Sequence, residues 1–250
     1  MYLKRTTYYR DRIEIYKYHT SRYGVKGEKR TKRAKPTEAA VKAANERNAR
    51  RKLKGLLIEN FEQGDYHVVL TYAPDKRPTL EESRIILKKF MRDMRAAYKA
   101  AGSELKYIIT TEWQGKSIHH HVVVNDVQGF SKILSNAWTY GGAHLTPLYP
   151  DYDYDGLAEY LVKETSETFR EPDCPYRQRW TCSRNLKKPK EEIEVVNANS
   201  WREDPTVSKN LQKTGYNIES DSIDSGVDLF GYPYQRYTLK RYPVKINKRE

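Results

Sequence analysis

The stretch Thr110-Thr111-Glu112-Trp113-Gln114-Gly115-Lys116-Ser117-Ile118-His119-His120-His121-Val122-Val123-Val124 limits what this chain can become more than any other. Two segments rich in β-formers are joined by Gln114-Gly115-Lys116-Ser117, which supplies turn chemistry, and together they predict a hairpin. Half of the six histidines of the chain lie here. A two-residue turn at Gly115-Lys116 sets Trp113 across from Ile118 and Glu112 across from His119. Opposed residues of an antiparallel pair share a face, and His121 points to the same side as His119 because strand side chains alternate. One carboxylate and two imidazoles then converge, the donor set of a three-ligand metal site with open positions. The plainer alternative has one histidine packed, another solvated and Glu112 in an ordinary ion pair.

The sequence around the hairpin supplies the rest of a sheet. Residues 66–72, Tyr-His-Val-Val-Leu-Thr-Tyr, lie between Gly64-Asp65 and Ala73-Pro74 and read as a buried strand. Thr79-Leu80-Glu81-Glu82 forms a capping box ahead of Leu87, Phe90, Met91, Met94, Ala97 and Tyr98 at helical spacing, with Gly102 as the stop. After the hairpin come a short helix over 131–138, closed by Gly141-Gly142, and a short strand over 143–148. The order strand, helix, strand, strand, helix, strand predicts an α+β fold, the ferredoxin-like βαββαβ arrangement, with a central antiparallel sheet and helices on one face. A further helix over 156–168, capped by Asp155, puts Tyr160 and Lys163 one turn apart.

Charge is concentrated at the front. Residues 1–54 hold 18 Lys+Arg against 5 Asp+Glu, a net of +13, which equals the net charge of the whole chain. Such a block attracts phosphate backbones, and the 21 tyrosines, many beside Arg or Lys, suit single-stranded nucleic acid. Thr37 caps an expected helix over 37–62, apolar at Leu53, Leu57 and Phe61, whose other side offers Arg47, Arg50, Arg51 and Lys54 as a DNA-facing surface. Charged residues at 32% and a mean hydropathy of −0.91 argue against a membrane span. No apolar stretch follows Met1-Tyr2-Leu3-Lys4-Arg5, and Cys174 and Cys182 lack CxxC spacing, so a reducing cytoplasm is expected. The sequence divides into a basic N-terminal extension (1–64), a central domain (65–190) and a C-terminal accessory segment (191–250) that regains β character at 232–242.

Four elements together resemble the HUH endonuclease superfamily, in particular the single-tyrosine rolling-circle replication initiators of bacterial phages and plasmids. They are Val68-Val69-Leu70-Thr71-Tyr72, His119-His120-His121, Tyr160-Leu161-Val162-Lys163 and Ser183-Arg184-Asn185-Leu186-Lys187-Lys188-Pro189, and the likeness covers residues 65–190. Tyr-x-x-Lys occurs four times, at Tyr23, Tyr160, Tyr237 and Tyr242, but only Tyr160 is expected on a helix at the right place in the chain. One departure stands out: His120 occupies the position where the family has a hydrophobe. A strand turned by one residue would present His120 alone.

The resemblance implies an enzyme with Mn²⁺ or Mg²⁺ held by Glu112, His119 and His121, and single-stranded DNA at an origin, in some cases a hairpin, as substrate. Tyr160 is then the nucleophile and Lys163 its electrostatic partner, while Tyr72 joins the DNA-contacting residues. The product is a 5′-phosphotyrosine with a free 3′-OH. No Gly-x-x-x-x-Gly-Lys-[Ser/Thr] is present, so unwinding and extension are expected of a host helicase and polymerase. A transposase or relaxase would use the same constellation, and a non-catalytic protein could instead stack bases on a ferredoxin-like sheet.

Overall fold

The computed structural model describes residues 1–20, 37–113, 117–149, 154–165, 176, 178–200, 203, 205–228 and 231–242. The expected turn at Gly115-Lys116, the motif at Tyr23 and Cys174 lie outside them. Along the chain run β1 (Tyr2–Tyr8), β2 (Arg12–His19), α1 (Glu38–Asn60), β3 (Tyr66–Thr71), α2 (Leu80–Ala100), β4 (Tyr107–Glu112) and β5 (His119–Val124). There follow α3 (Phe130–Ala137), β6 (Ala143–Pro147), α4 (Tyr154–Glu164), β7 (Thr181–Cys182) and β8 (Lys190–Val196). The chain continues with α5 (Lys209–Lys213), β9 (Tyr216–Ile218), β10 (Asp224–Val227) and β11 (Pro233–Arg241). These elements form an α+β protein with two antiparallel sheets, divided into two compact units, residues 36–188 and residues 1–35 with 189–250.

The first unit carries the sheet β6-β3-β5-β4-β7, antiparallel throughout. Its strands alternate strictly. Val68 and Leu70 of β3, Tyr107 and Ile109 of β4, and Val122 and Val124 of β5 form one core with Leu87, Phe90, Met91, Met94 and Tyr98 of α2 and Phe130 and Leu134 of α3. The capping box at Thr79 and Glu82 starts α2 as expected, and Gly102, at φ 71°, lies just past its end.

The opposite face is covered too, which corrects the expectation of helices on one side only. Tyr160 of α4 sets its ring against His121 of β5, and α1 packs along α4. Thr37 caps α1 by accepting from the Ala40 N–H, and Leu53, Leu57 and Phe61 are fully buried, as their i,i+4 spacing requires. The helix expected in a basic extension therefore belongs to this unit and completes its second layer.

In the other unit the two ends of the chain meet. The sheet runs β10-β11-β2-β1-β8, with β9 also paired to β11. The three-part division at 64 and 190 thus gives way to a unit built from both termini. Its strands are hidden in the sequence by their charge: Arg12-Ile13-Glu14-Ile15-Tyr16-Lys17 alternates with period two, burying Ile13 and Ile15 with Tyr237 and Leu239. Even Lys17 is buried, donating to the Ser200 carbonyl at 2.7 Å.

Tyr72, expected to contact DNA, is 6% exposed. Its hydroxyl lies 2.9 Å from His120 Nε2, and its ring packs edge-on against Trp138 and Tyr140. The polar side chain at the family's hydrophobic position explains this burial. His120 points into the core, where the Thr111 hydroxyl lies 2.9 Å from its Nδ1, and burial lowers its pKa to about 3, so it stays neutral. Tyr72→Phe leaves the buried Nε2 without a partner. It should cost about 1–3 kcal/mol in urea denaturation and leave DNA affinity unchanged.

Close approach of β3 and β6 at their ends depends on Gly141. The Thr71 N–H donates to Gly142 O and the Ala73 N–H to Tyr140 O, both at 2.9 Å. A Cβ on Gly141 would fall 2.6 Å from Ala73 N and 2.8 Å from the Tyr72 carbonyl carbon, and backbone cannot swing aside. Gly141→Ala should therefore destabilise the protein by about 1–3 kcal/mol, seen as a lower melting temperature.

Candidate active site

The register of β4 on β5 places Glu112 opposite His119 and Thr110 opposite His121. Because β3 pairs with β5 as Val69 to His121 and Thr71 to His119, and with β6 as Val69 to His144, the same face also carries His67 and His144. His121 sits at the centre of this surface. Its Nε2 lies 3.3 Å from Glu112 Oε2 and its Nδ1 3.3 Å from His67 Nε2. Burial, with the neighbouring His121 and His144 adding to it, lowers the His67 pKa to about 4. His67 is therefore a neutral imidazole, fit to fix which nitrogen of His121 carries the proton.

The donor types suit a divalent cation, and Glu112 and His121 already converge. His119 shares their face but has its Nε2 3.3 Å from the Ser117 hydroxyl, so it would have to turn its ring to complete the set. Among the described residues no group of three His, Cys, Asp or Glu side chains is arranged to hold a metal. One further observation favours an additional ligand at this face: Thr110, directly across from His121, has a buried hydroxyl with no hydrogen-bond partner among the described residues.

Tyr160 reaches the same place from α4. Its ring centroid is 5.2 Å from that of His121 at an interplanar angle of 83°, and the residue is 41% exposed. An edge-on contact holds the ring while leaving part of it open to solvent. Lys163, one turn on, is exposed. Of the other Tyr-x-x-Lys tyrosines, Tyr237 is buried in the other unit.

The four basic residues of α1 do not act as a single surface. Arg50 donates to Asp155 at 2.9 Å and pairs with Glu159 at 2.7 Å. These two acids lie one turn apart on α4, so the guanidinium reads as a tie between α1 and the helix of Tyr160, a correction to its placement among DNA-facing residues. Arg47 is exposed, whereas Arg51 and Lys54 are half-buried.

Sequence reasoning missed His67. The available signal is its period-two position with Val69 and Thr71 in β3, a strand whose composition suggests burial on both sides.

Residues 65–169 match a family model of replication-associated proteins of the ORF2 type. The matched span holds Glu112, the three histidines and Tyr160. No curated protein and no solved structure matches the chain. Among the described residues no helix is long and apolar enough to cross a membrane. The family match supports a replication-associated role, with DNA as the partner.

Proposed function

We propose that the chain nicks and rejoins single-stranded DNA at a replication origin, as a single-tyrosine initiator of the HUH type. The observation that carries this reading is the meeting of three groups on one sheet face: Tyr160 against His121, and His121 against Glu112. Support comes also from the strand order β6-β3-β5-β4, in which each neighbour is antiparallel and each helical connection skips a strand, as in a ferredoxin-like sheet. The alternation that buries His120 leaves His119 and His121 together on the site side, which answers the polar residue at the motif's middle position.

In the proposed reaction the Tyr160 phenol, with an ordinary pKa of about 10, loses its proton and its oxygen attacks the scissile phosphorus. The new bond joins the Tyr160 oxygen to the 5′-phosphate. The bond broken is that between phosphorus and the 3′-oxygen, which takes a proton and leaves as a 3′-OH. Lys163 favours the phenolate or holds a phosphate oxygen. Mn²⁺ or Mg²⁺ held by Glu112, His119 and His121 would supply Lewis-acid polarisation of that phosphate. Attack of a 3′-OH on the phosphotyrosine reverses the step and rejoins the strand. A host helicase and polymerase complete the scheme.

Incubation with an origin-like single-stranded oligonucleotide and Mn²⁺ should give a denaturation-resistant protein–DNA adduct. Tyr160→Phe should abolish the adduct while leaving DNA binding, and His121→Ala or EDTA should lower its yield by about 10²-fold or more. An adduct persisting in Tyr160→Phe would refute the nucleophile. Its absence from the parent chain on every DNA tested would favour a non-catalytic binding protein.

A further inference from the structure

We propose that the sheet of the unit formed by the two chain ends is a second single-stranded DNA-binding face, centred on a rung of Arg5, Tyr16 and Arg236. The three side chains come from adjacent strands. Arg5 of β1 and Arg236 of β11 are both the cross-strand partners of Tyr16 of β2, so all three share one side of the sheet. The Arg5 guanidinium carbon lies 5.4 Å and that of Arg236 4.9 Å from the centre of the Tyr16 ring. Tyr18, two residues along, stacks on Tyr16 at 4.7 Å and 16° and also receives Arg5 at 5.9 Å. Tyr234 meets Tyr16 edge-on at 6.3 Å.

Packing of a guanidinium on an aromatic ring fixes its position while leaving its in-plane N–H fork free for a phosphate. Neither Arg5 nor Arg236 has a carboxylate partner among the described residues, which is uncommon for two arginines held so close. The acids of this face are accounted for. Glu14 and Glu191 lie opposite Thr7, away from the rung. Asp224 is the cross-strand partner of Arg236, but it accepts from the Tyr234 hydroxyl at 3.2 Å and forms no ion pair with the guanidinium. On the reverse side Leu211 of α5 packs with Ile13, Ile15, Tyr237 and Leu239, so the core of this unit lies behind the rung.

Held guanidinium forks beside stacked aromatic rings match the alternation of phosphate and base in a single strand, where bases are free to stack on tyrosine. A duplex offers only its phosphates to such a surface, and an acidic protein segment would leave the rings without a counterpart. The proposal does not depend on the chemistry of Tyr160, and the test keeps the two apart by using the full chain carrying Tyr160→Phe, which binds without cleaving.

Fluorescence anisotropy with a labelled oligothymidylate should show Arg5→Gln/Arg236→Gln binding at least about tenfold more weakly. The slope of log affinity against log salt should fall in magnitude by about 1.4, for two phosphate contacts at about 0.7 each. Tyr16→Phe should bind like the parent and Tyr16→Ser more weakly, because stacking needs the ring and not the hydroxyl. Asp224→Asn should bind more tightly. Circular dichroism melts equal to the parent's confirm that each variant folds, and if the double variant does not, Asp224→Asn and Tyr16→Phe decide. Unchanged affinity in the double variant or in Tyr16→Ser, no tightening in Asp224→Asn, or equal competition by duplex DNA overturns the proposal.

Discussion

Strict alternation along β5, held in antiparallel register by β3 and β4, is the constraint on which the rest of the site-bearing unit depends. Three consecutive histidines would mean little in a loop or a helix. In a strand they must divide, two to one side and one to the other. His120 goes to the side of α2 and α3 and is kept neutral among Tyr72, Thr111 and Trp138. His119 and His121 go to the side of Glu112 and Tyr160. A slip of one residue would exchange the sets, burying two imidazoles and exposing one. Two hydrogen bonds to His120 oppose that slip, because in the slipped register both of its nitrogens and the hydroxyls now serving them would need new partners.

The site depends equally on a sheet that is covered twice. The first face stores the stability, with Phe90, Met94 and Tyr98 of α2 against the valines and isoleucines of the strands. The second face carries the candidate site, and α1 and α4 lie over it. Arg50 links those two helices through Asp155 and Glu159, yet all three side chains are partly exposed and each pair contributes little on its own. Buried Leu53, Leu57, Leu161 and Val162 supply most of the hold. Tyr160 thus rides on a helix seated by apolar contacts and steered by a charge network.

Much of the site-bearing unit was legible because its signals are local. The capping box of α2 and the period-two patterns of β4 and β5 each fix geometry within a few residues, and the register of Glu112 against His119 agrees with them. Tyr72 and Arg50 were misplaced because their partners, His120 and the acids of α4, lie far along the chain. The strands of the other unit were illegible for a different reason. Tyr and Thr interleaved with Arg and Lys resemble a solvated tail by composition, and only pairing with β8 and β11, nearly two hundred residues away, makes a sheet of them. His67 was missed because a strand rich in valine reads as apolar on both faces, although one side of it lines the site.

That pairing also dictates an order of assembly. The hairpin of β1 and β2 leaves the ribosome well before its neighbours β8 and β11 are made. In between, residues 36–188 contain all the partners they need and can close around local contacts. The unit of the chain ends must meanwhile wait, with two strand edges unsatisfied and rich in tyrosine. Their arginines and lysines then serve a purpose before any DNA is present: like charges along an open edge discourage one nascent chain from adding its strands to another. A composition that looks like a nucleic-acid grip in the finished protein is, during synthesis, a safeguard against aggregation.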